Sequence, residues 1–127
     1  MTKEELIARN RKFAISVLKL IELLPTNRTY DALARQLVRC ATSVGANYRA
    51  ACRGKSHADF LNKIKIVEEE ADESLYFLDL IMEVENGKYK SVIQPIFDEA
   101  NQLVSIYVAT LKTLRNKEVG PKTNRTS

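Results

Sequence analysis

One stretch, Thr29–Glu85, limits the possible folds most, because it reads as two long helices with a short break at Arg53-Gly54-Lys55-Ser56. At 100° per residue, Tyr30, Leu33, Ala34, Leu37, Ala41, Val44, Gly45, Tyr48, Ala51 and Cys52 share one broad face of the first arm. Arg28, Arg35, Arg39, Arg49 and Arg53 fall on the opposite side, within a stripe about 80° wide. A neutral polar line, Gln36, Cys40, Ser43 and Asn47, runs between them. Gly54 suits a position just past a helix end, and Ser56 can cap the next helix with Asp59 in its first turn. So short a break folds the second arm back along the first.

In that second arm Phe60, Ile64, Val67, Ala71, Leu75, Leu78 and Met82 form one seam. On its back, Glu69 and Glu73 are followed by Tyr76, Phe77, Leu80 and Val84. A single layer of helices covers only one side, so this second apolar face reads as an oligomer interface.

Two further helices flank the hairpin. Leu6, Phe13, Val17, Leu20, Ile21 and Leu24 make the seam of the first, which Pro25 ends. Asn10 lies inside that seam, so either the polar line of the second helix partners it or it sits at a wet, frayed end. Asn86-Gly87 closes the third helix, and Ser91-Val92-Ile93-Gln94 resembles a capping box for the fourth, with Pro95 in its first turn. The expected architecture is all-α: an up-down-up-down antiparallel four-helix bundle with helices over 3–24, 29–53, 57–86 and 92–117. It forms one domain, 1–117, followed by a disordered polar tail, 118–127.

No apolar run approaches the roughly 20 residues that a bilayer requires. Cys40 and Cys52 would stand about 18 Å apart on one helix and cannot bridge. Reduced thiols and the absence of a secretory segment point to a cytoplasmic protein.

The single histidine, His57, sits at a turn. Helical bundles that hold two metal ions use inward carboxylates from several helices and Glu-x-x-His pairs. Here only Glu68, Asp72 and Glu73 remain for a metal-carboxylate reading, and a solvated or ion-paired face, as Lys65 with Glu69, accounts for them better. Cys40, Cys52 and Ser43 have no histidine to activate them, and there is no glycine-rich phosphate loop. Neither an enzyme nor a bound cofactor is expected.

The net charge is only +4, but residues 28–55 carry +5 and residues 56–86 carry −7. Arg28, Arg35, Arg39, Arg49, Arg53 and Lys55, assisted by Lys63, could position successive phosphates of a nucleic acid, and RNA is a natural partner because shape and backbone contacts dominate its recognition. Pairing of the stripe with the acidic run of a neighbouring subunit is the second reading, and plain solvation the third. Lying opposite the core face, the stripe is not expected to reach the acids of its own hairpin partner.

Leu33-Ala34-Arg35-Gln36-Leu37-Val38-Arg39, then Ser43 and Asn47, then Phe60 and Glu73-Ser74-Leu75, resemble the bacterial four-helix-bundle proteins encoded in 23S rRNA intervening sequences, a ribosomal-protein-like family. The resemblance spans about Phe13 to Lys117, with Gln36, Arg39, Ser43, Asn47, Phe60 and Glu73 at matching positions. Ala50-Ala51 and Glu69-Glu70 depart from the Glu-Gly and Gly-Ser of many members and mark a distinct subgroup. The resemblance implies a ring-like homopentamer. It also implies a ribonucleoprotein or reverse transcriptase as a possible partner, since relatives include accessory proteins of diversity-generating retroelements. A protein-interaction scaffold is therefore the alternative to nucleic-acid binding. Such a ring needs two different patches per subunit. Tyr76, Phe77, Leu80 and Val84 make one candidate, and the margins of the outer helices, Ile15, Leu23, Ile106 and Val108, the other.

Overall fold

The computed structural model describes the backbone of residues 1–126 and the side chains of residues 1–117. It contains α1 (Lys3–Leu23), α2 (Arg28–Cys52), α3 (His57–Glu83), a 3-10 turn (Val84–Gly87) and α4 (Lys90–Thr126). The tail expected over 118–127 lies outside the described side chains.

Three helices begin where side-chain oxygens can take up free amide groups. Thr2 accepts from the Glu5 N–H at 3.0 Å, Asn27 from Tyr30 at 3.0 Å and Ser56 from Asp59 at 3.1 Å. Gly54 follows α2 as expected, but its backbone is not left-handed. Close approach explains it instead, because a Cβ there would come within 3.0 Å of the Ala51 carbonyl oxygen.

The third helix stops sooner than its sequence implies. Glu85, Asn86 and Gly87 take φ values of 54°, 55° and 78°, and three left-handed residues cannot prolong a right-handed helix. The fourth helix starts earlier than position 92. The Tyr89 carbonyl accepts from the Ile93 amide at 3.1 Å, so Ser91 lies within the first turn and does not cap it.

Contacts run between α1 and α2, α2 and α3, α3 and α4, and more sparsely α4 and α1, which arranges the four helices as a square. Directions follow from paired residues. Arg39 of α2 meets Glu70 and Glu73 of α3, whereas the later Ala50 shares a surface with the earlier Asn62 and Ile66. Asn10 of α1 meets Tyr107 of α4, and the later Phe13 and Ser16 lie beside the earlier Pro95 and Ile96. Connections of a few residues reach at most about 14 Å, far short of a helix of 25 residues, so neighbours that pack lengthwise must alternate in direction.

The core is continuous from end to end. Phe13, Val17 and Leu20 meet Leu37, Ala41 and Val44, then Ile64, Val67, Leu78 and Ile81, then Ile93, Leu103 and Tyr107. Six residues depart from the periodic reading. Cys40, assigned above to the polar line, is fully buried, while Phe60 and Leu75 sit at the core's edge and Leu61, Ser74 and Ile81 fill its interior. The reason is that α3 packs on α2 along one side and α4 along another, so its buried arc is wider than one seam and centred elsewhere.

Candidate functional site

Arg28, Arg35, Arg39, Arg49 and Arg53 are all exposed, as the helical spacing requires. They do not form one uniform surface. Arg39 is ion-paired with Glu73 and, at 3.4 Å, with Glu70, both on α3, and its Nε donates to Gln36 at 3.4 Å. The expectation that the stripe could not reach its own hairpin partner is therefore corrected. Cys40 is drawn into the core, which turns the adjacent Arg39 toward the α2–α3 boundary, within a guanidinium's reach of the acidic run.

Three positions of the family resemblance, Gln36, Arg39 and Glu73, are thus brought together. Ser43 and Asn47 stand apart and satisfy each other, with Asn47 Nδ2 donating to the Ser43 carbonyl at 3.0 Å and hydroxyl at 2.6 Å. Burial raises the Glu70 carboxyl pKa, and Arg39 opposes that rise. Burial, followed by the charges of Asp72 and Glu69, also raises Glu68. Among the described residues, no three His, Cys, Asp or Glu side chains are placed to hold a metal ion, and Glu73 is engaged by Arg39.

Alternating direction collects cations from separate parts of the chain at one end of the bundle. The α2–α3 turn brings Arg53 and Lys55 there, Lys63 stands two turns into α3, and α4 arrives with Lys112, Arg115 and Lys117, all exposed. Lys55 and Lys63 line a shallow groove of about 350 Å³, together with Asn62 and Asp59. Among the described residues, no carboxylate lies within ion-pair distance of Arg53, Lys55, Lys63, Lys112 or Arg115. Arg28 and Arg35 belong to the opposite half, with Arg35 roughly 20 Å along the helix from Arg49.

The α1–α4 boundary is clasped by residues that sequence reasoning missed. Arg9 donates from Nε and a terminal nitrogen to the two Glu99 carboxylate oxygens, each at 2.7 Å, and to Gln102 at 2.7 Å. The only signal was Glu99 and Gln102 three apart on α4, and nothing in the sequence pairs them with Arg9. Beneath, the buried Asn10 accepts from the Tyr107 hydroxyl at 2.7 Å. Its partner therefore comes from α4, not from the polar line of α2 and not from solvent.

The proposed apolar interface on α3 is narrower than its sequence implies. Phe77, Leu80 and Val84 are half-buried, with Phe77 and Val84 packed on the core's edge. Tyr76 alone projects, 58% exposed, with its ring edge-to-face with Phe77 at 5.6 Å. Of the margin residues on the outer helices, Leu23 and Val108 are exposed, and Ile15 and Ile106 are half-buried. No described helix is long and apolar enough to cross a membrane.

The sequence pattern of one family, described as 23S rRNA-intervening sequence protein, matches residues 3–109. A solved structure from Bacteroides thetaiotaomicron VPI-5482, described as a protein with unknown function from the S23 ribosomal protein family, superposes with a TM-score of 0.77. The two chains are 27% identical, over 88% of this chain and 99% of that one. No curated protein matches.

Proposed function

From a chain that belongs to the 23S rRNA-intervening sequence protein family, we propose a non-enzymatic, self-associating bundle that holds RNA by its backbone at the basic end. The observation that carries this reading is the placing of Arg53, Lys55, Lys63, Lys112 and Arg115 at one end of the bundle, with no carboxylate within ion-pair distance among the described residues, although Arg115 shares a hollow with Glu68 and Glu69. Cations with no carboxylate in ion-pair distance among the described residues are available to phosphates, and each phosphate neutralised releases condensed counterions. Arg39 leaves this surface because Glu70 and Glu73 occupy it. Arg28 and Arg35 would meet a separate part of a long duplex.

A titration of labelled structured RNA at several salt concentrations, followed by fluorescence anisotropy, tests the proposal. Log K should fall with log salt at a slope of about 0.7 to 0.9 per phosphate contact. Arg53→Glu together with Lys55→Glu should weaken binding and flatten the slope by about two contacts. Weak binding at low salt by the unsubstituted protein would overturn it. That result would favour the scaffold reading, in which the same charges dock a protein. The ring-like homopentamer remains part of the proposal, and light scattering measures it directly.

A further inference from the structure

Two of the bundle's four faces are closed by ion pairs and two are not. Arg39 with Glu70 and Glu73 spans α2 and α3, and Arg9 with Glu99 spans α1 and α4. The α1–α2 and α3–α4 faces lie opposite each other in the square.

On the α1–α2 face runs a groove of about 630 Å³. Ala14, Gly45 and Ala46 open it, because their side chains are too small to fill the space between the helices. Gly45 also lets the helices approach, since a Cβ there would lie 3.4 Å from that of Asn10. Ile7 supplies apolar surface, and Arg11 and Arg49 rim it, both exposed and without a carboxylate in ion-pair distance among the described residues.

The opposite face carries charges of the opposite sign. Tyr76 stands out from α3 beside half-buried Leu75 and Phe97, with Asp72 one turn before it and Asp79 nearly one turn after. Neither aspartate has a cation within ion-pair distance among the described residues. One face thus carries a hollow rimmed by two cations, and the other a smaller hollow of about 300 Å³ whose wall includes the 58% exposed Tyr76 ring between two anions. The aspartates are about 10 Å apart along α3. Arg11 and Arg49, on antiparallel helices either side of the Gly45 level, are about 7 Å apart along the axis, which arginine side chains can adjust to match. Tyrosine seated in a pocket with charges at its rim is a common arrangement of binding energy in protein interfaces.

We infer that the α1–α2 groove receives the Tyr76 edge of a second copy of this chain, with Arg11 and Arg49 facing Asp72 and Asp79. The contact rests on the self-association proposed above and deepens it by assigning the surfaces. Because the two patches lie on opposite faces, each copy can give and receive at once, so the association is head-to-tail. The acceptor is then the α1–α2 groove and not the Ile15, Leu23, Ile106 and Val108 margins.

Two variants at exposed positions test it, each checked for helicity by circular dichroism. Ala46→Trp fills the groove and leaves Tyr76 intact, and Tyr76→Ala removes the ring and leaves the groove intact. Each alone should weaken self-association by about thirtyfold or more and run as a monomer in light scattering. An equimolar mixture should yield a one-to-one dimer, because one intact groove and one intact ring remain between them. Arg49→Glu with Asp79→Arg in the same chain should regain association that either change alone loses. If the unsubstituted protein is an oligomer but the variants keep its mass, the surfaces are wrong while self-association stands. An unsubstituted monomer at high concentration overturns both. If Ala46→Trp lowers RNA affinity and leaves mass unchanged, the groove is a nucleic-acid contact and the inference fails.

Discussion

Asn10 shows how one residue fixes its neighbours. Its side-chain oxygen is bonded to Tyr107, while its side-chain nitrogen has no hydrogen-bond partner among the described residues. A buried amide half satisfied is costly, and losing its remaining partner costs more. Tyr107→Phe should therefore lower stability by about 1–2 kcal/mol in urea unfolding. Adding Asn10→Leu should recover much of the loss, since an apolar pair leaves no polar group unpaired. Equal losses in the single and double variants would show that the bond contributes little. At Glu68 the relevant quantity is charge. Its folded pKa lies above its unfolded one, so ionised Glu68 disfavours the fold at neutral pH, and the penalty disappears as pH falls through the folded pKa. Glu68→Gln should raise Tm at pH 7, with the gain vanishing below the carboxylate range. A gain independent of pH would sink that explanation. Tyr30 is similarly enclosed, and its phenol is pushed up to about 12 by burial first and then by the nearby Glu85.

At the scale of elements, the Ser56 cap was legible, whereas the start of α4 near Ser91 and the third connection were not. Ser56 caps α3 as expected, and Asn27 caps α2 by the same local device, a side-chain oxygen two or three residues before free amides, which the sequence reading did not single out. After α3, the run from Glu85 to Gly87 turns left-handed. Glutamate rarely adopts that backbone, so residue preference favours continuing the helix, and the need to bring α4 back onto α3 overrides it. Gly87, at φ 78°, is the position where a side chain would be strained. Gly87→Ala should cost about 1 kcal/mol in thermal or chemical unfolding, and no loss would mean that the connection adapts freely.

For the whole molecule, the apolar period of 3.6 residues dictates four helices, and the short breaks between them dictate their alternating direction. Both follow from the sequence alone because they depend on spacing along one chain. The exposure of Arg28, Arg35, Arg49 and Arg53 was legible for the same reason. Which charges meet was not. Arg39 pairs across the hairpin and Arg9 pairs with Glu99, ninety positions away, because helix rotation and axial offset decide which side chains come within about 4 Å. The same two variables, set by how the core side chains interlock, gather Arg53, Lys63 and Arg115 at one end and leave Tyr76 and the α1–α2 groove on opposite faces. Periodicity determines the elements and their buried sides. Only tertiary packing decides which surface charges remain without partners, and those are the charges left available to a ligand or a second copy.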